Sequence, residues 1–249
     1  MELTELKEDL VKGLNPVSFV RTFLTPDEWQ EKVLNFNGKR LILNCARQTG
    51  KSTITALLAL HRGLYYSKQL ILLVSPSLRQ SSELFRKVSD YLNELKIKPK
   101  LIEDNKLSLQ FVNKSRIVSL PSSESTIRGF SNVNLIIEDE ASRVPDELYY
   151  TIRPMLAISQ GRIILMSTPF GKRGHFFDEW TKGDWERIEV KATNCPRITK
   201  EFLASEKQSL GDWWFKQEYM CSFEESVDSV FKYEEIDKAF EAEVETWDM

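Results

Sequence analysis

The sequence predicts an α/β fold, a mainly parallel central sheet flanked by helices with a small C-terminal helical subdomain. Three observations predict it. Short, continuously apolar runs alternate with helical patterns up to about residue 175. A glycine-lysine-serine turn stands between the first of these runs and a helical pattern. After about Phe176 the runs give way to charged and aromatic sequence with mostly helical periodicity. The 249 residues are 41% apolar and 11% aromatic, enough for one large core, or a core with a smaller satellite.

In chain order, Leu3, Leu6, Leu10 and Leu14 recur at three- and four-residue steps, which predicts an amphipathic helix over 3–14 ending near Asn15-Pro16. The runs 40–46 (RLILNCA), 69–75 (QLILLVS), 116–120 (RIVSL), 134–139 (NLIIED) and 161–167 (GRIILMS) follow. They are apolar throughout instead of alternating, as strands covered on both faces must be. Helical patterns over 51–65 and 77–95 separate the first three, the second with Leu84, Phe85, Val88, Tyr91, Leu92 and Leu95 on one face. Such alternation predicts parallel strands joined by right-handed crossovers. The segment 107–111 (LSLQF) and the run 116–120 can equally form a hairpin. Beyond Phe176, helical patterns cover 212–223 and 233–244, with one candidate strand at 187–193. The expected division is therefore 1–175, an N-terminal helix and core, and 176–249, a lid and linker.

Composition excludes several roles. Thirty-four Lys and Arg against 37 Asp and Glu give a net charge of −3, so no global basic field surrounds the molecule and any nucleic-acid contact is local. Cys45, Cys195 and Cys221 are odd in number and lack metal-type spacing, which fits a reduced intracellular protein. The acidic, amphipathic start is unlike a signal peptide, and no run approaches the roughly 18 apolar residues of a membrane span, so a cytoplasmic location without membrane contact is expected.

The chemistry is concentrated in two motifs. The stretch 44–53 (NCARQTGKST) follows an apolar run and opens a helical pattern, the order a phosphate-binding loop requires. Aligned to GxxxxGK(S/T), the loop comprises Cys45, Ala46, Arg47, Gln48, Thr49, Gly50, Lys51 and Ser52, with Thr53 next. Cys45 takes the place of the first glycine, a position that mainly shapes the turn. Gly50 allows close backbone approach, Lys51 supplies a cation for the terminal phosphates, Ser52 supplies a hydroxyl for magnesium, and the helix directs its positive end at the anion. The second motif, 135–142 (LIIEDEAS), is a strand delivering acids at its carboxyl end. Asp139 is suited to holding magnesium and Glu140 to polarising the attacking water, each on its own face of the strand. Glu138 introduces a register ambiguity, because it stands where a fourth apolar residue is expected. No NKxD guanine-reading tetrad is present, which favours ATP over GTP.

In their order these segments resemble the ATPase, or motor, domain of the large terminase subunit of tailed bacteriophages, from about Asn15 to Phe231. The resemblance implies a P-loop NTPase of RecA-like (ASCE) type with a helical lid. It also implies an ATP hydrolase that uses Mg2+ and drives double-stranded DNA into a procapsid. It makes Gln30, in 24–34 (LTPDEWQEKVL), the adenine reader. It gives Arg47 a place against the transferring phosphate. Arg128, in 125–141, becomes the arginine offered to a neighbouring subunit, and which of the two arginines dominates stays open. Ser167 or Thr168, in 165–180 (LMSTPFGKRGHFFDEW), becomes the element that couples γ-phosphate loss to strand movement.

The partners so implied are double-stranded DNA, the portal of the procapsid, the small terminase subunit and further copies in a ring, with the isolated chain free to be monomeric. The expected setting is the host cytoplasm, at the procapsid and not in the mature virion. The family's nuclease domain would begin near where this sequence ends, so the expectation is a motor domain alone. Two other readings share the motifs: a helicase-like DNA-remodelling ATPase, which would need a second motor-like domain, and a nucleotide-gated binding module without productive turnover.

Overall fold

In the computed structural model, residues 3–121, 127 and 129–225 are described. Arg128 and the expected helix over 233–244 lie outside them.

Among the described residues the sheet has eight strands: β1 (Arg40–Cys45), β2 (Leu70–Ser75), β3 (Leu101–Asn105), β4 (Ser108–Phe111), β5 (Arg116–Pro121), β6 (Leu135–Asp139), β7 (Arg162–Ser167) and β8 (Glu186–Val190). Their spatial order is β3-β4-β5-β2-β6-β7-β1-β8. From β5 to β8 all neighbours are parallel, whereas β3, β4 and β5 pair antiparallel at one edge. The hairpin alternative for LSLQF and RIVSL is thus the one adopted, with Leu109 opposite Ile117. β1, β2, β6 and β7 are buried along almost their whole length, which is why their sequences do not alternate.

Eight α-helices among the described residues complete the fold: α1 (Leu3–Leu14), α2 (Pro16–Val20), α3 (Glu28–Asn35), α4 (Lys51–Tyr65), α5 (Leu78–Glu94), α6 (Asp146–Ile152), α7 (Gly174–Thr181) and α8 (Lys200–Met220). Asn15 caps α2 and Ser77 caps α5, each accepting backbone N–H groups of the first turn. The odd-numbered strand residues Leu41, Leu43, Ile71, Leu73, Leu135 and Ile137 pack with α2–α5 in one core. The even-numbered Ile42, Leu72, Val74, Ile136 and the odd-numbered Leu165 pack with α6 and α7 in another. Sandwiched between the sheet and the outer helices, α4 buries ten of its residues.

The composition change near residue 176 does not end the sheet. Phe176 is a core residue of α7, Phe177 beside it is also buried, and β8 pairs with β1 beyond them. Among the described residues α8 forms the satellite, through Leu203, Phe215 and Tyr219 against Ala46, Ala192 and Cys221. Gly211, at φ 76° and ψ 168°, breaks α8 into two segments. No described helix is long and apolar enough to cross a membrane.

Candidate active site

The strand order brings the motifs together. β7 lies between β1 and β6, with Ser167 opposite Asn44 and Met166 opposite Asp139, so the loop after β1 and the acids after β6 face each other across the end of β7. In an open parallel sheet this carboxyl edge is where ligands bind.

The loop is held from several sides. The Ala46 N–H donates to the Val190 carbonyl of β8 (2.9 Å), the Arg47 N–H to the Glu218 carbonyl of α8 (3.2 Å), and the Thr49 hydroxyl to the Ala46 carbonyl (2.9 Å). Gln48 at φ 63° and Gly50 at φ 95° are both left-handed, which folds the chain back before α4. The second position favours glycine because of its φ of 95°, and a Cβ there would also lie 3.1 Å from the Gln30 amide nitrogen. Gly50 gives α4 no side-chain cap, leaving its first N–H groups available to an anion. Ser52 and Thr53 are half-buried in the first turn.

Lys51 is buried, with its ammonium 3.2 Å from Glu140 and 3.4 Å from the Thr168 hydroxyl. Burial alone would lower its pKa, but the charges of Glu140 and Asp139 outweigh it and hold the ammonium above its ordinary range. The Ser52 hydroxyl stands 3.4 Å from Asp139 Oδ2. Burial, then the neighbouring Glu140 charge, pushes the Asp139 carboxyl up to about 6 against the opposing pull of Lys51. The Cys45 thiol is raised beyond its usual range, chiefly by burial, and is inert as a nucleophile near neutral pH.

One geometric expectation is corrected. Asp139 and Glu140 do not take opposite faces of a strand: β6 ends at Asp139, and Glu140 adopts the left-handed region (φ 52°, ψ 42°). That turn brings both carboxylates toward α4, whereas Glu138 points to the opposite face and meets His175 at 2.8 Å. Pleat alternation thus settles the ambiguity at Glu138 and does not apply past Asp139.

The remaining residues distribute as follows. The Thr168 hydroxyl donates to the Cys45 carbonyl (3.0 Å), joining β7 to the first loop position. Ser167 hydrogen-bonds Ser142 (2.7 Å), and Ser142 donates to the Thr168 carbonyl (2.8 Å), joining β7 to the turn after Glu140. Gln30 is buried beside Gly50, and its side-chain carbonyl accepts the Asp27 N–H (2.9 Å). The Arg47 guanidinium does not join this cluster; it pairs with Glu218 on α8 and is 60% exposed.

Sequence reasoning missed Arg197. From the segment before α8, it grips Asp27 with two bonds (2.7 and 3.1 Å) and donates to the Thr49 carbonyl (3.0 Å). The Asp27-x-x-Gln30 capping box was a local signal for half of this contact. Arg197 lies 148 residues from Thr49 and offered none.

Fold and site together define a RecA-like P-loop NTPase fold. A family model described as "Terminase large subunit, T4likevirus-type, N-terminal" matches residues 42–238, and the chain belongs to that family. The large terminase ATPase domain of Thermus phage P74-26 superposes with a TM-score of 0.74 at 20% identity, covering 84% of this chain and 99% of that one. The large terminase of a second thermophilic bacteriophage, solved with ADP, gives 0.65 at 10% identity over 79% of this chain and 53% of its own. That of bacteriophage HK97 gives 0.61 at 17% identity over 93% of this chain and 52% of its own. The chain thus spans about half the length of these last two proteins.

Proposed function

We propose that this chain is the ATP-hydrolysing motor domain of a viral DNA-packaging terminase, turning phosphoryl transfer into movement of double-stranded DNA into a procapsid. The observation that carries the reading is the convergence of Lys51 with Glu140 and of Ser52 with Asp139 at the start of α4. Family membership supports the substrate, as do the structures of the thermophilic-bacteriophage terminase with ADP and ATP-gamma-S.

The donor set fits a magnesium ion. One hydroxyl and one carboxylate, both hard oxygen donors, stand close together, and among the described residues Asp139 forms no ion pair that would satisfy its buried charge. Ser52 and Asp139 would hold the ion, which when bound neutralises charge on the phosphate oxygens. Lys51 exchanges Glu140 for the terminal phosphates as nucleotide enters. The freed Glu140 carboxylate orients a water molecule and draws off its proton as that water attacks phosphorus. Gln30 retains an amide N–H2 for the base. Arg47, released from Glu218, or Arg128 of an adjacent copy in a ring, stabilises the charge of the transition state. Thr168 touches both Lys51 and the Cys45 carbonyl, so a change at the phosphates reaches β7 directly. Portal, small terminase subunit and DNA complete the assembly, which works in the host cytoplasm.

The test is steady-state phosphate release from Mg-ATP, with and without duplex DNA and portal. Turnover that Lys51→Ala abolishes supports the reading. Tight ATP binding with no release in any assembly state refutes it in favour of a nucleotide-gated switch.

A further inference from the structure

Behind the hydrolytic acids lies a buried ionic cluster that the proposed mechanism does not use. Glu138 is fully buried on the face of β6 opposite Asp139, on the side of the sheet that packs against α6 and α7. A carboxylate there is strongly unfavourable unless it is paired. Its Oε1 meets His175 Nε2 at 2.8 Å. On the other side of the ring, Asp146 Oδ1 lies 3.0 Å from His175 Nδ1 and accepts the His175 backbone N–H at 2.7 Å. The imidazole lies flat on Tyr149, with centroids 4.3 Å apart and planes 10° from parallel, and the Tyr149 hydroxyl donates to Glu179 (2.6 Å). A neutral imidazole has a single N–H, so only the imidazolium can donate to both carboxylates. Burial would lower the His175 pKa, but Glu138 and Asp146 outweigh it and raise the value.

We infer that His175 is a positioning residue for Glu140, pinning both ends of the turn that carries the hydrolytic acids. This rests on Glu140 being the residue that orients water. Glu138 immediately precedes Asp139 and Glu140, and Asp146 opens α6 six residues after Glu140. A single ring therefore holds the segment from both sides while Glu140 stays left-handed. His175 itself sits in the first turn of α7, at the end of the loop leaving β7 through Thr168. The same loop receives the Ser142 hydroxyl at the Thr168 carbonyl, so a hydroxyl bond joins the acid turn to the loop after β7 in addition to the contacts of Glu138 and Asp146 with His175.

The test uses His175→Gln, which has one donor nitrogen and an acceptor oxygen where the imidazolium has a donor nitrogen on each side, Glu138→Gln, which removes the buried charge at similar volume, and the double variant. Phosphate release is measured together with amide hydrogen exchange of the nucleotide-free chain. In His175→Gln, kcat should fall about 10- to 100-fold with the KM for ATP within about threefold, since misplacing a reacting group by an ångström is enough for such a loss. Exchange should rise about tenfold in 138–146 and stay unchanged in β1 and α4. The double variant should recover part of the loss, because it leaves no unpaired buried carboxylate. A His175→Gln chain that melts above the assay temperature with kcat within about twofold of the parent overturns the inference, as does exchange raised equally everywhere. If the parent releases no phosphate in any assembly, the motor reading fails, while local exchange still decides whether His175 holds the turn.

Discussion

Glu140 has the left-handed backbone of a glycine without being one, φ 52° and ψ 42°. A non-glycine residue there costs on the order of 1–3 kcal/mol, which the neighbouring contacts must offset. What the strain achieves is convergence, since a carboxylate continuing the strand would alternate away from Lys51. Glu140→Gln should keep the turn while losing the charge. Phosphate release should drop at least about 100-fold, and nucleotide binding, followed by titration with a fluorescent ATP analogue, should not weaken, because Lys51 is freed from its partner. Gly50 gives a second prediction at this scale. An alanine at φ 95° with a Cβ 3.1 Å from Gln30 is strained, so Gly50→Ala should lose about 1–3 kcal/mol in urea unfolding and bind nucleotide more weakly. Unchanged affinity would mean that the turn does not approach the phosphates.

At the scale of elements, β7 is the bridge between the loop and the acids. Thr168→Val keeps the shape of the side chain but removes its bond to the Cys45 carbonyl and its contact with Lys51, so it should cost about 1 kcal/mol in stability and lower turnover several-fold. A Thr168→Val chain with full turnover would separate β7 from the chemistry. The helices divide sharply in what they hold. Leu57 of α4 is fully buried, whereas Leu3, Leu10 and Leu14 of α1 are more than half exposed. Leu57→Ala should therefore cost about 2–5 kcal/mol, and Leu10→Ala less than about 0.5, both by chemical denaturation.

The same division explains what was legible. β1, β2, β6 and β7 stand out as apolar runs because both faces are covered, α5 because its buried residues recur at helical spacing, and α4, which is buried nearly all round from Ile54 to His61, because the Gly50-Lys51-Ser52 turn marks its start. The 3–14 pattern correctly marks a helix, but periodicity cannot say whether its apolar stripe is covered. β8 is an edge strand with mostly exposed residues, so it carries only a weak strand signal although it pairs with β1 along its full length.

For the whole molecule, the candidate site was legible where its residues are contiguous and hidden where it is assembled. Lys51, Ser52, Asp139 and Glu140 lie in two short motifs. Arg197 on Thr49, Glu218 on Arg47 and His175 on Glu138 each join segments far apart in the chain, and nothing local announces them. The buried His175 cluster also links the fold to pH. Its raised folded-state pKa means that its stabilising contribution is complete below the ordinary value of 6.5 and is lost as pH rises from there through the folded pKa. The groups facing the ring or near it are Glu138, Asp146, Asp178 and Tyr149 with its partners Glu179 and Arg153. Thermal melts above pH 6.5 should accordingly show a fall in stability that is missing in the His175→Gln, Glu138→Gln double variant.

The central claim is that the turn around Gly50 wraps a triphosphate while Ser52 and Asp139 face its metal ion. The most direct measurement is a crystal structure of the chain with ADP, beryllium fluoride and magnesium. The account predicts the phosphate mimic within the loop from Cys45 to Ser52, the ion beside Ser52 and Asp139, and Lys51 moved from Glu140 to the mimic. Nucleotide bound elsewhere, or the Lys51–Glu140 pair intact beside bound nucleotide, would contradict it.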